Sequence, residues 1–286
     1  MNDTVSGPAF ALGYGTNGFG DHPLDAALDV ICATGYSAVA LTLGHPHFDP
    51  FSDGWRDRAG ELRDELDRRG LRVVVETGGR YVLDPFRKHR PNLIDEDPAP
   101  RIRFLRRAID VADLLGAECV SLWSGVLPDG LDRDDGHRRL ADAMRPVVGR
   151  ALDLDVRIGV EPEPGMLVET VDDALRLRES LGDPEEVGIT VDLGHCLVVE
   201  SDGVAGALRR AGDLLVNVQV DDMVAEAHEH LELGSGELDL RLALATLIDL
   251  GYAGVAAVEL PRHSHAAPRC ARHSMAALIT ALEEVR

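Results

Sequence analysis

Four side chains with oxygen donors stand at the ends of short apolar runs: Glu161 in IGVEPEPG, Asp192 in ITVDLGH, Gln219 in NVQVDDM and Glu259 in AAVELPR. The intervals between them are 31, 27 and 40 residues, each about one strand-helix unit. Taken singly, each carboxylate reads as a helix cap or an arginine partner. Gathered in one cavity, two glutamates and an aspartate would repel one another and carry a large desolvation cost unless protons or a cation neutralised them. A divalent ion resolves this most simply. Three carboxylates and an amide oxygen make a hard donor set suited to Mn²⁺ or Mg²⁺, compatible with Co²⁺ and poorly matched to tetrahedral structural Zn²⁺. The expected metal ligands are therefore Glu161, Asp192, Gln219 and Glu259. An ion holding a carbonyl and the neighbouring hydroxyl would stabilise an enediolate while a nearby carboxylate takes the proton.

Histidines surround the same segments. His195 lies three residues beyond Asp192, and His228 and His230 sit in HEHLELGSGELD after the seventh run. All three are expected to contact substrate, with completion of the metal shell or plain exposure as alternatives. Trp123 and Tyr14, at other strand ends, would pack on a ring or belong to the core. His263 and His265 precede the last helix, where a capping role is equally reasonable.

The elements that must position these residues follow from hydrophobic period. Eight β-rich runs alternate with stretches whose apolar residues fall three and four apart. The expected strands are Phe10–Tyr14, Ala38–Leu43, Arg72–Glu76, Cys119–Trp123, Arg157–Glu161, Gly188–Asp192, Leu215–Val220 and Val255–Glu259. Between them, Leu24, Ala27, Leu28 and Ile31 form one apolar stripe behind an expected Asp21 cap. Trp55, Ala59, Leu62 and Leu66 form another, and Ile102, Leu105, Ile109, Ala112 and Leu115 a third. Gly35, Gly70, Gly116 and Gly251 follow helical stretches as left-handed stops, and Pro146 is expected to interrupt the fourth helix. The segment Gly13 to Gly20 does not match GxGxxG, and Gly15 to Gly18 within it reads as a plain turn. Eight units without a Pro-, Gly- or Ser-rich linker specify a single (β/α)8 TIM barrel over residues 1–286, of the α/β class, with strand C-termini converging on one mouth.

One connection, residues 77–100, is too long for a simple turn and contains Arg80, Arg87, Lys88, His89 and Arg90. Arg87 and Lys88 are expected to hold an anionic substituent of a substrate, the alternative being a solvated excursion.

Composition narrows the function classes. The chain has 286 residues, 45% hydrophobic, with a formal charge of -21, which opposes binding to nucleic acid or to an anionic membrane surface. Lys88 is the single lysine, leaving one candidate for Schiff-base chemistry. Four scattered cysteines form no CxxC pair, consistent with a reduced, cytoplasmic protein. The opening MNDTVSGPAF has no basic start or long apolar run, so no leader or membrane span is expected. No exposed apolar stripe nominates a homo-oligomer interface, and pairing of subunits stays open.

The sequence resembles the xylose-isomerase-like barrel superfamily of sugar phosphate isomerases and epimerases, which also holds the endonuclease IV type of abasic-site nucleases. VEPEPG at Glu161, TVDLGH at Asp192 and His195, VQVDDM at Gln219, HLELGSGELD from His230 and VEL at Glu259 carry the resemblance. It implies that Glu161, Asp192 and Glu259 ligate a metal and that Glu161 and Glu259 are the catalytic acid and base. Gln219 stands where such proteins commonly have a histidine. The implied activity is isomerisation or epimerisation of a sugar, sugar phosphate or cyclitol ketone; a lyase or dehydratase on the same scaffold is the nearest alternative. An abasic-site nuclease is opposed by charge and by Gln219, and a barrel that only binds its ligand by the presence of both Glu161 and Glu259.

Overall fold

The computed structural model describes residues 9–45 and 47–285. The expectation about a leader rests mostly on residues 1–8, which lie outside them. Eight parallel strands close into a barrel: β1 (Ala11–Gly15), β2 (Ala38–Thr42), β3 (Arg72–Glu76), β4 (Val120–Trp123), β5 (Ile158–Glu161), β6 (Val187–Asp192), β7 (Leu215–Val220) and, after a two-stranded hairpin of β8 (Asp222–Val224) and β9 (Ala227–Leu231), β10 (Val255–Val258). Around the barrel the order is β1-β10-β7-β6-β5-β4-β3-β2. Each expected strand is present within one or two residues of its expected ends. The hairpin was not expected: its short strands belong to a polar loop in which Met223 is the fully buried apolar residue.

Strand side chains alternate between the barrel interior and the helical layer. Ala11, Ala38, Ala40, Val74, Cys119, Val255 and Ala257 form one small buried cluster inside the barrel. Toward the strand C-termini the same inward positions become polar, so small apolar residues floor the barrel and acids line its mouth. A register shift between Ile189 and Thr190 pairs Ile189 with Leu215 and Thr190 with Asn217. The extra residue, Val216, packs on the interior cluster, and the bulge leaves Asn217 and Gln219 on the inward face.

Helices α1 (Leu24–Thr34), α2 (Trp55–Arg69), α3 (Ala99–Leu115), α4 (Arg133–Leu154), α5 (Val171–Ser180), α6 (Leu193–Val199), α7 (Gly203–Ala211), α8 (Leu240–Asp249) and α9 (Ala267–Val285) cover the outside. Gly35, Gly70 and Gly116 end α1, α2 and α3 with left-handed backbone, as expected. Two expectations fail. Asp21 does not cap α1, which starts behind Pro23 without a side-chain cap; the Asp21 backbone N–H instead donates to Ser264 Oγ at 2.7 Å. Nor does Pro146 break α4, which runs 22 residues with Leu140, Met144, Val147 and Ala151 fully buried, so tertiary packing outweighs one lost backbone bond. Among the described residues no helix is long and apolar enough to cross a membrane.

Candidate active site

The strand ends open into a cavity of about 1090 Å³ whose lining includes Glu76, Glu161, Glu163, Gln219 and Glu259. Glu76, Glu161 and Glu259 each terminate a run too apolar to leave the core. RVVVE places Glu76 at the end of β3 and IGVE places Glu161 at the end of β5, each 6% exposed. Asp192 ends β6 and caps α6, its Oδ1 accepting the His195 backbone N–H at 2.8 Å.

Few partners hold these acids. Asn217 Nδ2 donates to Glu76 Oε1 at 3.1 Å, and Asn17 Nδ2 to Glu259 Oε1 at 2.7 Å. Ser121 Oγ donates weakly to Glu161 Oε2 at 3.4 Å. Asp192 Oδ2, Gln219 Oε1 and Glu259 Oε2 are buried without any hydrogen-bond partner. Leaving such atoms unpaired costs roughly 1–3 kcal/mol each, more where charged.

The electrostatics follow from burial and crowding. Burial pushes Glu76 and Glu259 up to about 8, with further repulsion from Asp192 in both. Burial, then Glu259 and Glu163, hold Glu161 well above the ordinary carboxylate range. Glu163 rises to about 7 by burial, tempered by His230 and Lys88. Burial and Asp192 raise Asp221. Burial would raise Asp192 also, but His195 and His230 outweigh it and hold this carboxyl below its usual value. One ionised aspartate among mostly protonated neighbours is what a bowl lacking enough positive charge produces.

Three histidines close one side. β8 and β9 carry His228 and His230 over the mouth because the Asp222 carboxylate accepts the backbone N–H groups of Gly234, Gly236 and Leu238, each at 2.9 Å. A Cβ on Gly236 would lie 2.4 Å from Asp222 Oδ1, so glycine is required for that closure. His195 Nδ1 faces the Pro162 carbonyl at 3.1 Å, and its Nε2 faces His228 Nε2 at 3.0 Å. A carbonyl only accepts, so His195 carries its proton on Nδ1 and His228 donates to the bare His195 Nε2. Burial lowers His195 and brings His228 down to about 4, keeping both rings neutral. His230 Nδ1 lies 2.5 Å from Asp221 Oδ2, close but poorly aligned as a hydrogen bond.

Ligand-capable atoms lie within 4.8 Å of one another in three trios: Glu161, Asp192 and His195; Asp192, Asp221 and His230; and His195, His228 and His230. Asp192 links the first two. Glu161, Gln219 and Glu259 share the cavity lining, and Asp192 acts electrostatically on both glutamates.

Trp123, His195, His228, His230 and Lys88 line the cavity. Arg87 does not; its guanidinium turns to Asp84, 2.7 Å away. Tyr14 is fully buried against Phe19 and Tyr36 and is a core aromatic. Sequence reasoning passed over Glu76, Asn17, Asp221 and Glu163. Glu76 carries the same strand-end signal as Glu161 and was legible. Asn17 was not: Gly15 to Gly18 read as a plain turn, whereas Thr16–Phe19 form a 3-10 turn that aims Asn17 at Glu259.

Residues 28–281 match the family described as xylose isomerase-like TIM barrel. The chain belongs to that family. Among similar proteins, L-ribulose-5-phosphate 3-epimerase UlaE of Shigella flexneri serotype 5b is 25% identical over 228 residues, covering 78% of this chain and 80% of that protein. The xylose isomerase-like fold is shared with the crystal structure of a D-tagatose 3-epimerase-like protein, with a TM-score of 0.78, 23% identity and coverage of 96% of this chain and 98% of the other. The structure of an IOLI protein with a bound zinc atom superposes with a TM-score of 0.76 at 15% identity, covering 97% of this chain and 99% of that one.

Proposed function

We propose that the protein is a divalent-metal-dependent isomerase or epimerase of a small polyhydroxylated carbonyl compound, with Glu161 and Glu259 as acid and base. One observation carries this reading: Asp192 Oδ2, Gln219 Oε1 and Glu259 Oε2 are buried and unpartnered at strand ends beside the raised carboxyl of Glu161. Those are atoms of the four residues singled out by sequence spacing, and a hard cation fits the set they form. The naming of UlaE as an epimerase and the zinc atom of the IOLI protein point the same way. We assign Glu161, Asp192, Gln219 and Glu259 as the residues that hold the ion. Mn²⁺ and Mg²⁺ suit their oxygens best. When bound, it supplies positive charge to the carbonyl and adjacent hydroxyl oxygens of the substrate.

The protein's own groups do the rest. Asn17 donates to one oxygen of Glu259 and so holds this carboxyl in one orientation. In the barrel order, β6 and β7 separate the strands of Glu161 and Glu259, so a substrate seated over the mouth meets a carboxylate from each side. One glutamate removes the proton next to the carbonyl, giving an enediolate. Return of a proton by the other glutamate to the opposite face epimerises the centre, and return to the adjacent carbon isomerises the compound. His195, with its bare Nε2 turned to His228, and Trp123 contact the substrate.

The test is product analysis in deuterated water with the Mn²⁺-loaded protein over a panel of ketoses and inososes. Solvent deuterium at a retained carbinol carbon is expected, lost in Glu259→Gln with the fold kept. Loss of hydroxide would indicate a dehydratase instead, and normal exchange in Glu259→Gln would defeat the assigned roles.

A further inference from the structure

The cavity is electrically two-sided. Its floor is carboxylate, whereas its rim carries Arg80, Lys88 and Arg90 from the long loop after β3 and Arg262 from the loop after β10. Four cations at one mouth stand out in a chain of net charge -21. Their partners differ. Arg90 is committed to Asp95. Among the described residues Arg80 makes no ion pair and donates only to the Pro261 carbonyl at 3.2 Å, which carries its guanidinium across the mouth to the residue preceding Arg262. Arg262 pairs loosely with Glu229 at 3.8 Å. Lys88 appears in no ion pair among the described residues, although it is close enough to act on Glu163 within the cavity.

The loop is built to hold these charges in place. Arg101, 3% exposed at the start of α3, donates to the His89 and Pro91 carbonyls at 3.1 Å each and stacks 4.5 Å over the Trp123 ring. His89 has left-handed backbone, φ 61°, unusual for a residue with a Cβ, and packs on Trp123 at 5.1 Å. Its Nε2 is buried and unpartnered, and the residue lines the cavity. Burial, reinforced by the charges of Lys88, Arg101 and Arg80, brings His89 down to about 4. Arg80 and Lys88 therefore act on one neutral ring, and cations that share a mouth with few close counter-ions leave a favourable place for an anion.

We infer that Arg80, Lys88 and Arg262, which line one cavity, form a subsite for an anionic oxygen-bearing group, phosphate or carboxylate, at the end of the substrate remote from Glu161 and Glu259. The inference rests on the reading of the cavity as a sugar site and narrows its substrate to acidic or phosphorylated ketoses. Arg and Lys are the side chains suited to such groups, Arg through paired donors and Lys as a point charge. Arg87, the neighbour of Lys88, contributes nothing here because it is turned to Asp84.

Calorimetric titration with glycerol 3-phosphate, D-glycerate and glycerol tests the subsite without any turnover, so its outcome is separate from that of the deuterium experiment. For the Mn²⁺-loaded full chain, at least one of the two anions is expected to bind at least about tenfold more tightly than glycerol. Which anion gains tells phosphate from carboxylate. That advantage should fall about tenfold in Lys88→Met and in Arg80→Gln, and persist in Arg87→Gln. It should also weaken with added salt. Equal binding of all three probes would overturn the proposal, as would an advantage unchanged in both Lys88→Met and Arg80→Gln.

Discussion

Removing divalent ions with a chelator should make the protein less stable as pH rises from 7 to 8, the reverse of what paired carboxylates give. Glu76 and Glu259 hold their protons in the folded state up to about pH 8, against an ordinary 4.5. Across this window the folded chain binds more protons than the unfolded chain, so stability present at low pH is lost as pH climbs through the folded value. At about 1.4 kcal/mol per pH unit for a fully differential proton, and with each group going from nearly full to half occupancy, the loss is about 1 kcal/mol per glutamate. Together they give about 2 kcal/mol, and the raised carboxyls of Glu161, Asp221 and Glu163 add to the loss in the same direction. The depressed histidines, His195 and His228 among them, work in the opposite sense, but their unfolded value of 6.5 places most of that gain below the window. Urea unfolding in chelator at the two pH values measures the difference. Glu76→Gln should remove about 1 kcal/mol of it, and saturating Mn²⁺ should abolish it, since a bound cation favours the ionised carboxylates. Stability that stays flat or rises between pH 7 and pH 8 in chelator would refute the account of an under-neutralised acidic bowl.

Other substitutions test separate parts of the site. Gln219→His replaces a neutral amide oxygen with an imidazole nitrogen and should tighten Co²⁺ binding by about tenfold or more in a calorimetric titration; unchanged affinity would remove residue 219 from the ligand set. Asn17→Ala frees the anchored oxygen of Glu259 and should lower kcat more than it raises KM, while shifting the acid limb or base limb of the pH-rate profile. Asp222→Ala leaves three backbone N–H groups near His228 and His230 without their acceptor and should cost about 3 kcal/mol, read by urea unfolding. Gly194→Ala puts a methyl carbon 2.2 Å from Asp221 Oδ1 and should destabilise by about 1–3 kcal/mol through overpacking.

Much of the architecture was legible because the signals are local. Alternating β-rich and amphipathic runs set the eight units, and glycines in left-handed backbone stop three of the helices. Strand-end acids were legible for a related reason: a carboxylate ending a buried parallel strand has nowhere to go but the mouth of the barrel. Glu76 obeys the same rule in RVVVE, and only the preference for the later strands passed over it. Pro146 misled because propensity is a local quantity while the apolar face of α4 is buried by neighbours far away in sequence.

What the amino-acid order determined alone is the repeat, the closure into a barrel and the acidic character of its C-terminal mouth, since hydrophobic period and chain connectivity are written residue by residue. Only tertiary structure decided that Asn17 reaches Glu259 across 242 positions, that Lys88 faces the cavity while Arg87 turns away, and that a bulge at Val216 aims Gln219 inward. These depend on side-chain direction and on contacts between distant segments. Such contacts form only after closure has brought the strand ends together, and no local pattern encodes them.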